Sequence, residues 1–191
     1  MGFVPFSEIS FPHFTFRYFN DEQRFYVQRI EILNINSFSP WSWIKNAISW
    51  RVNLAYEVPA DLCTFCHVLH GEGNVGASES IAKDRVRAYQ LLGLYGDTGT
   101  PLARRWRVGP KLTLGLLANV TKNWKQQWEV AGSSDPWNLG SGQTFFVSAL
   151  WGQSYFLSQE WELRAIGRAT WRTKDNAQSR GEAVGQVLYY F

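Results

Sequence analysis

The chain has 191 residues, enough for one domain with a sizeable core, and its 19 Lys and Arg against 16 Asp and Glu leave a net charge of only +3. That balance argues against a nucleic-acid partner. Ten Trp, 13 Phe, 8 Tyr and 16 Gly, with no run that reads as a membrane helix, suit either a β-barrel with aromatic girdles or a soluble, Trp-rich β-sandwich.

The opening MGFVPFSEIS lacks the basic and apolar segments of a signal peptide. The expectation is a cytoplasmic chain or a piece of a longer exported one. Beyond it the prevailing period is two, which predicts about ten strands. They fall near 11–20, 25–36, 48–58, 67–77, 84–94, 107–120, 122–131, 144–157, 160–172 and 182–191. Residues 38–47 suggest a short helical turn. In SWRVNLAYEV, Trp50, Val52, Leu54, Tyr56 and Val58 alternate with Arg51, Asn53, Ala55 and Glu57.

Residues 61–78, DLCTFCHVLHGEGNVGAS, hold two familiar patterns. Cys63, Cys66 and His67 spell the attachment motif of a c-type haem, but such folds are helical and this chain is not, so haem is disfavoured. No second ligand pair completes a zinc site. The plainer reading of Cys63 and Cys66 is a short disulfide in an external loop. Gly71, Gly73 and Gly76 spell a dinucleotide fingerprint without the βαβ context that it requires. They suit a bending strand, or one whose backbone is closely approached.

Further on, the alternation in DRVRAYQLLG is weak. PKLTLGLLANV sets Leu112, Leu114, Leu116, Ala118 and Val120 against Lys111, Thr113, Gly115, Leu117 and Asn119. In NWKQQWEVA, Trp124, Trp128 and Val130 share a face with Gln126. EWELRAIGRATWR is two-faced over a length that would cross a bilayer, with Trp161 and Trp171 near the ends of its apolar face. Long and short connections largely alternate, as in outer-membrane barrels. NDEQ and residues 37–47 break that rule. The chain closes on EAVGQVLYYF, in which Gly185, Val187, Tyr189 and Phe191 recur at every second position. This ending resembles the signal read by the outer-membrane barrel assembly machinery, where a strand pairs with an exposed sheet edge.

No catalytic set is visible. His13, His67 and His70 offer few general bases, and the serines lie in turns without a nucleophile elbow. Arg51, Glu57, Glu162, Arg164, Arg168 and Arg172 read as inward charges that plug a narrow barrel. Trp50, Tyr56, Trp124, Trp128, Trp161 and Trp171 read as interfacial aromatics.

The ordered set RIEILNINSFSP, SWRVNLAYE, the Cys pair with its glycine-rich strand, WRVGPKLTLGLL, GQSYFLSQEWELR and the YYF terminus carries a resemblance. From about Pro5 to Phe191 the chain resembles the C-terminal barrel region of bacterial envelope proteins with an Lnb-type (lipoprotein N-acylation transacylase B-like) periplasmic domain. The resemblance implies that Cys/His chemistry would sit in an upstream domain, and that about two further strands precede the matched region. Together these readings give the expectation of an all-β, antiparallel, up-and-down barrel of outer-membrane type. It would bind no cofactor or metal. Its partners would be the bilayer, the assembly machinery and the upstream domain. The alternatives are a lipid- or lipoprotein-handling barrel enzyme and a soluble glycan-binding β protein.

Overall fold

A computed structural model describes residues 7–10, 13–19, 24–38, 48–58, 67–82, 85–99, 106–134, 145–172 and 178–189. Among them are eleven strands: β1 (Ser7–Ser10), β2 (His13–Phe19), β3 (Arg24–Ser37), β4 (Ile48–Glu57), β5 (Val68–Ser80), β6 (Val86–Thr98), β7 (Trp106–Asn119), β8 (Trp124–Ser134), β9 (Phe145–Phe156), β10 (Trp161–Arg172) and β11 (Gln178–Tyr189). The pairs are all antiparallel, and β3 to β11 form a nine-stranded meander in chain order. β1 and β2 lie end to end along the other side of β3. Ser10 opposes Asn34 and His13 opposes Glu31, so the two pieces continue one register as far as Thr15, where β2 slips by one residue against β3. Among the described residues β11 pairs with β10 alone, and the sheet curls toward a barrel without closing into one.

Several strands run past the ends that the polarity pattern predicts. Ser133 and Ser134 extend β8, Tyr95 to Thr98 extend β6, and Gln178 to Gly181 open β11, all in segments expected to be loop. Backbone pairing is indifferent to side-chain polarity, so the ladder continues past the last apolar residue. β1 was not expected, because four residues of SEIS are too few to display a period. The helical turn suggested at 38–47 lies, apart from Phe38, outside the described residues, as do Cys63, Cys66 and Phe191.

A β-bulge decides which side chains of β3 face inward. The register between β3 and β4 slips between Glu31 and Leu33. Arg29 and Glu31 precede the slip, Asn34 and Asn36 follow it, and all four share the inner face. One inserted residue shifts the alternation by one and keeps the polar set on one side.

The connections separate by end. Residues 58–67, 99–105, 135–144 and 173–177 join strands at one end, and 81–85, 120–123 and 157–160 at the other. The 38–47 connection is the long one at the tight-turn end. Its first residue folds inward: Phe38 is buried and stacks on Tyr89 with ring centroids 4.3 Å apart. Its carbonyl accepts hydrogen bonds from Ser78 Oγ at 2.8 Å and Arg87 Nη1 at 2.9 Å. Phe38, Tyr89, Leu91 and Leu117 make the apolar core at this end.

Glycine makes room for that core. A Cβ at Gly115 would lie 2.2 Å from Tyr89 Cζ, so the tyrosine ring occupies the space that a side chain would fill. The glycines of the 71–76 run divide: a Cβ at Gly76 would meet the Gln90 carbonyl oxygen at 1.9 Å, whereas one at Gly73 meets nothing. Close backbone approach therefore explains Gly76 and not Gly73. Gly115→Ala is expected to cost about 1–3 kcal/mol by overpacking. Gly132→Ala, where a Cβ has open space, is expected to leave stability nearly unchanged. Denaturant midpoints of the two variants check both.

Candidate functional site: the charged interior

Alternation puts the buried charged and polar side chains on the inner face, beside a few apolar ones, and leaves large aliphatic side chains exposed on the outer face. Arg51, Glu72, Asn74, Arg87, Asp97, Arg107, Thr113, Asn119 and Glu162 are buried inside the curl. Val75, Leu92, Leu94, Leu112, Leu114, Leu116, Val130 and Val147 stand exposed outside it. Isolated buried charges are too costly to persist, so each must find a partner.

The central partner set spans the curl. Arg51 on β4 donates from Nη1 to Glu129 Oε1 at 3.1 Å and from Nη2 to Glu129 Oε2 at 2.7 Å. Glu129 sits on β8, four strands away. Tyr89 Oη donates to the same carboxylate at 2.6 Å. Arg51 Nε donates to Asn36 Oδ1 at 2.8 Å, and its guanidinium lies 5.6 Å from the Phe38 ring centroid and 5.9 Å from that of Tyr89. The fork of the guanidinium and the planar carboxylate match, which makes this a bidentate pair.

A second set lies toward the long-loop end. His70 Nδ1 donates to Asp97 Oδ1 at 2.6 Å, and His70 Nε2 stands 3.6 Å from Glu72 Oε2. Arg107 Nε donates to Asp97, and Lys111 Nζ and Asn74 Nδ2 donate to Glu72. Arg107 also lies over the rings of Tyr95 and Phe146. His70 thus stands between two carboxylates and links β5 to β6. A third set joins Arg29 to Glu57, Glu31 and Asn53. A fourth pairs Arg164 with its strand neighbour Glu162, at 2.7 Å from Nε.

Of the inward charges expected from sequence, Arg51 and Glu162 are buried, Glu57 and Arg164 are half-buried, and Arg168 is inward yet exposed. The side chain of Arg172 lies outside the described residues. The structure joins Arg51 to a partner that sequence reasoning did not pick out. It also missed His70, Glu72, Asp97, Arg107 and Lys111. The signal for Glu129 was present, since it alternates with Trp124, Trp128 and Val130.

Of the six aromatics, Tyr56, Trp128, Trp161 and Trp171 are exposed on the outer face, and Trp50 and Trp124 are half-buried there. Gly185 and Val187 are exposed on β11, and Tyr189 ends that strand. His67, the ligand candidate of the haem motif, places Nε2 2.8 Å from the Val27 carbonyl and stacks on Tyr56 at 4.9 Å. Among the described residues no group of His, Cys, Asp or Glu is arranged to hold a metal ion, and no helix is long and apolar enough to cross a membrane.

Fold and polarity thus define an antiparallel meander, curled toward a barrel around a charged interior. The chain belongs to the family described as Domain of unknown function (DUF7840), whose family model matches residues 1–190. No curated protein and no solved structure matches it.

Removing one member of the Arg51–Glu129 pair leaves the other charge buried and unpaired. Glu129→Ala or Arg51→Ala is expected to cost about 3–5 kcal/mol. The double variant Arg51→Met, Glu129→Leu is expected to recover most of that loss. A double-mutant cycle on unfolding free energies measures the coupling.

Proposed function

We propose that the chain is a β-barrel domain of outer-membrane type, which anchors an Lnb-like periplasmic domain at the outer membrane of a bacterial envelope. The observation that carries this reading is the inverted polarity: ion pairs within, aliphatic side chains without, on strands of 10–14 residues from β3 to β11. Strands in soluble proteins average about 5–6 residues, and a tilted strand that crosses a bilayer needs about 9–11.

The outer face supports the reading in detail. Phe145 and Tyr155 are ten positions apart on β9, and Trp161 and Trp171 are ten apart on β10, all exposed. At roughly 3.3 Å per residue that is about 33 Å along a strand, or about 25 Å of height at a tilt near 40°. The apolar band of outer-membrane barrels is about 25 Å tall, with aromatic girdles at both rims. Closure has a consistent sense. With β1 and β2 counted as one row, the sheet has ten rows, so β11 would meet the first row antiparallel, as an even-stranded barrel requires.

The interior fits a structural plug better than a reaction centre, because its carboxylates Glu57, Glu72, Asp97, Glu129 and Glu162 all hold cations of the same chain. Under this reading chemistry belongs to the anchored domain, and β11 offers the assembly machinery its edge through Gly185, Val187, Tyr189 and Phe191.

Detergent-refolded protein is expected to migrate differently boiled and unboiled, with β-rich circular dichroism. Cooperative folding in plain buffer, with no mobility shift, would sink the membrane reading. Leu114→Arg, in the middle of the belt, is expected to cost about 2–4 kcal/mol when folding is measured in a bilayer.

A further inference from the structure

On the outer belt two glutamines of neighbouring strands meet within a frame of aromatics. Gln126 on β8 opposes Gln153 on β9. One rung toward the tight turns, Trp124 opposes Tyr155, and one rung the other way, Trp128 opposes Trp151. Alternation puts all six on the outer face, because Lys125 and Gln127 point inward, toward Phe156 and toward Tyr89 and Glu129. Both glutamines are half-buried in this frame.

Two primary amides bring four N–H donors, the three indoles add three and the phenol one more. The acceptors are two amide oxygens and the phenol oxygen. Even a mutual amide pair leaves N–H groups unmatched, and the six residues include no carboxylate. The patch therefore calls for a ligand rich in acceptors and poor in donors. Its depth selects among such ligands. Trp124 opens β8 directly after the 120–123 turn, where its carbonyl accepts from Val120 N at 2.9 Å. Gln126 lies two residues further in, roughly 7 Å along the strand. On the membrane reading, on which this inference rests, that is about 5 Å of height inside the Trp124–Tyr155 rim, next to the ester region.

We propose that Gln126, Gln153 and their aromatic frame form a binding site for one glycerophospholipid, with the amides donating to its phosphate or ester oxygens and the rings holding the chains. An apolar belt alone would bind lipid everywhere and nowhere in particular. The amide pair fixes a position.

The test titrates detergent-refolded protein with dioleoylphosphatidylglycerol, and with dioleoylglycerol as the phosphate-free probe, read by native mass spectrometry. One retained phospholipid per chain is expected. Gln126→Leu, Gln153→Leu should weaken retention about tenfold or more. Gln90→Leu removes an exposed glutamine of the outer face of β6, away from the frame, and should leave it unchanged. Dioleoylglycerol keeps both ester oxygens, so it should bind wild type better than the double variant if the amides take the esters, and no better if they take the phosphate. Equal retention by wild type and double variant, with the heat-dependent mobility shift kept in both, overturns the site and leaves the barrel reading standing. A wild-type protein that shows no shift and retains no lipid brings both down. A wild-type dimer that the double variant abolishes, with no lipid bound, assigns the patch to a second copy instead and also overturns the proposal.

Discussion

One ion pair holds the shape on which the other arrangements depend. Arg51 and Glu129 are far apart in sequence and lie on strands separated by three others, yet their groups meet at 2.7 Å. A flat sheet would hold them roughly 19 Å apart at normal strand spacing. The contact therefore requires the curl, and the curl brings Tyr89 under the same carboxylate and Phe38 over the Tyr89 ring. Gly115 belongs to the same constraint. Tyr89 can reach Glu129 because β7 has no side chain at that point.

The sets of charges also divide the labour along the strands. At the tight-turn end the interior holds the apolar and aromatic group around Phe38 and Leu91, beside Arg87 and the Glu162–Arg164 pair. Toward the long loops it is filled by His70, Glu72, Asp97, Arg107 and Lys111. Ion pairs of this kind add little net stability compared with an apolar core of the same volume, but breaking one is costly. They are thus weak as glue and strong as a specification. A strand that slipped by one residue would turn its charges outward and leave their partners buried and unmatched.

How much of this was legible follows from what alternation encodes. A period of two reveals which face a residue takes, so ten of the eleven strands, and the inward placement of Arg51, Glu57, Glu162, Arg164 and Arg168, were readable. It cannot reveal which charge across the interior a residue meets, since that depends on curl and shear. Glu129 was visible as an inward residue and invisible as the partner of Arg51. β6 read poorly for a related reason: its inner face mixes Arg87 and Asp97 with Tyr89, Leu91 and Tyr95, so polarity does not alternate even though burial does. Strand ends were misplaced where Ser133, Ser134 and Gln178 to Gly181 continue the ladder in polar sequence, because backbone pairing leaves no mark on composition.

The same logic bears on whether such a domain anchors or reacts. A catalytic carboxylate or histidine needs an environment that leaves its proton or lone pair free for a substrate. Here the His70 nitrogens face Asp97 and Glu72, and the Glu129 carboxylate takes Arg51 on both oxygens and Tyr89 besides. Opening any of these groups to a substrate would strand a buried opposite charge, so the arrangement resists the reorganisation that turnover demands. Its versatile surface is the outside. There the polar pair Gln126 and Gln153 is the feature that a simple apolar wall would not require. On the proposed reading, a domain whose interior charges are committed to its own shape, and whose exterior carries the Gln126–Gln153 pair, is held by its surroundings.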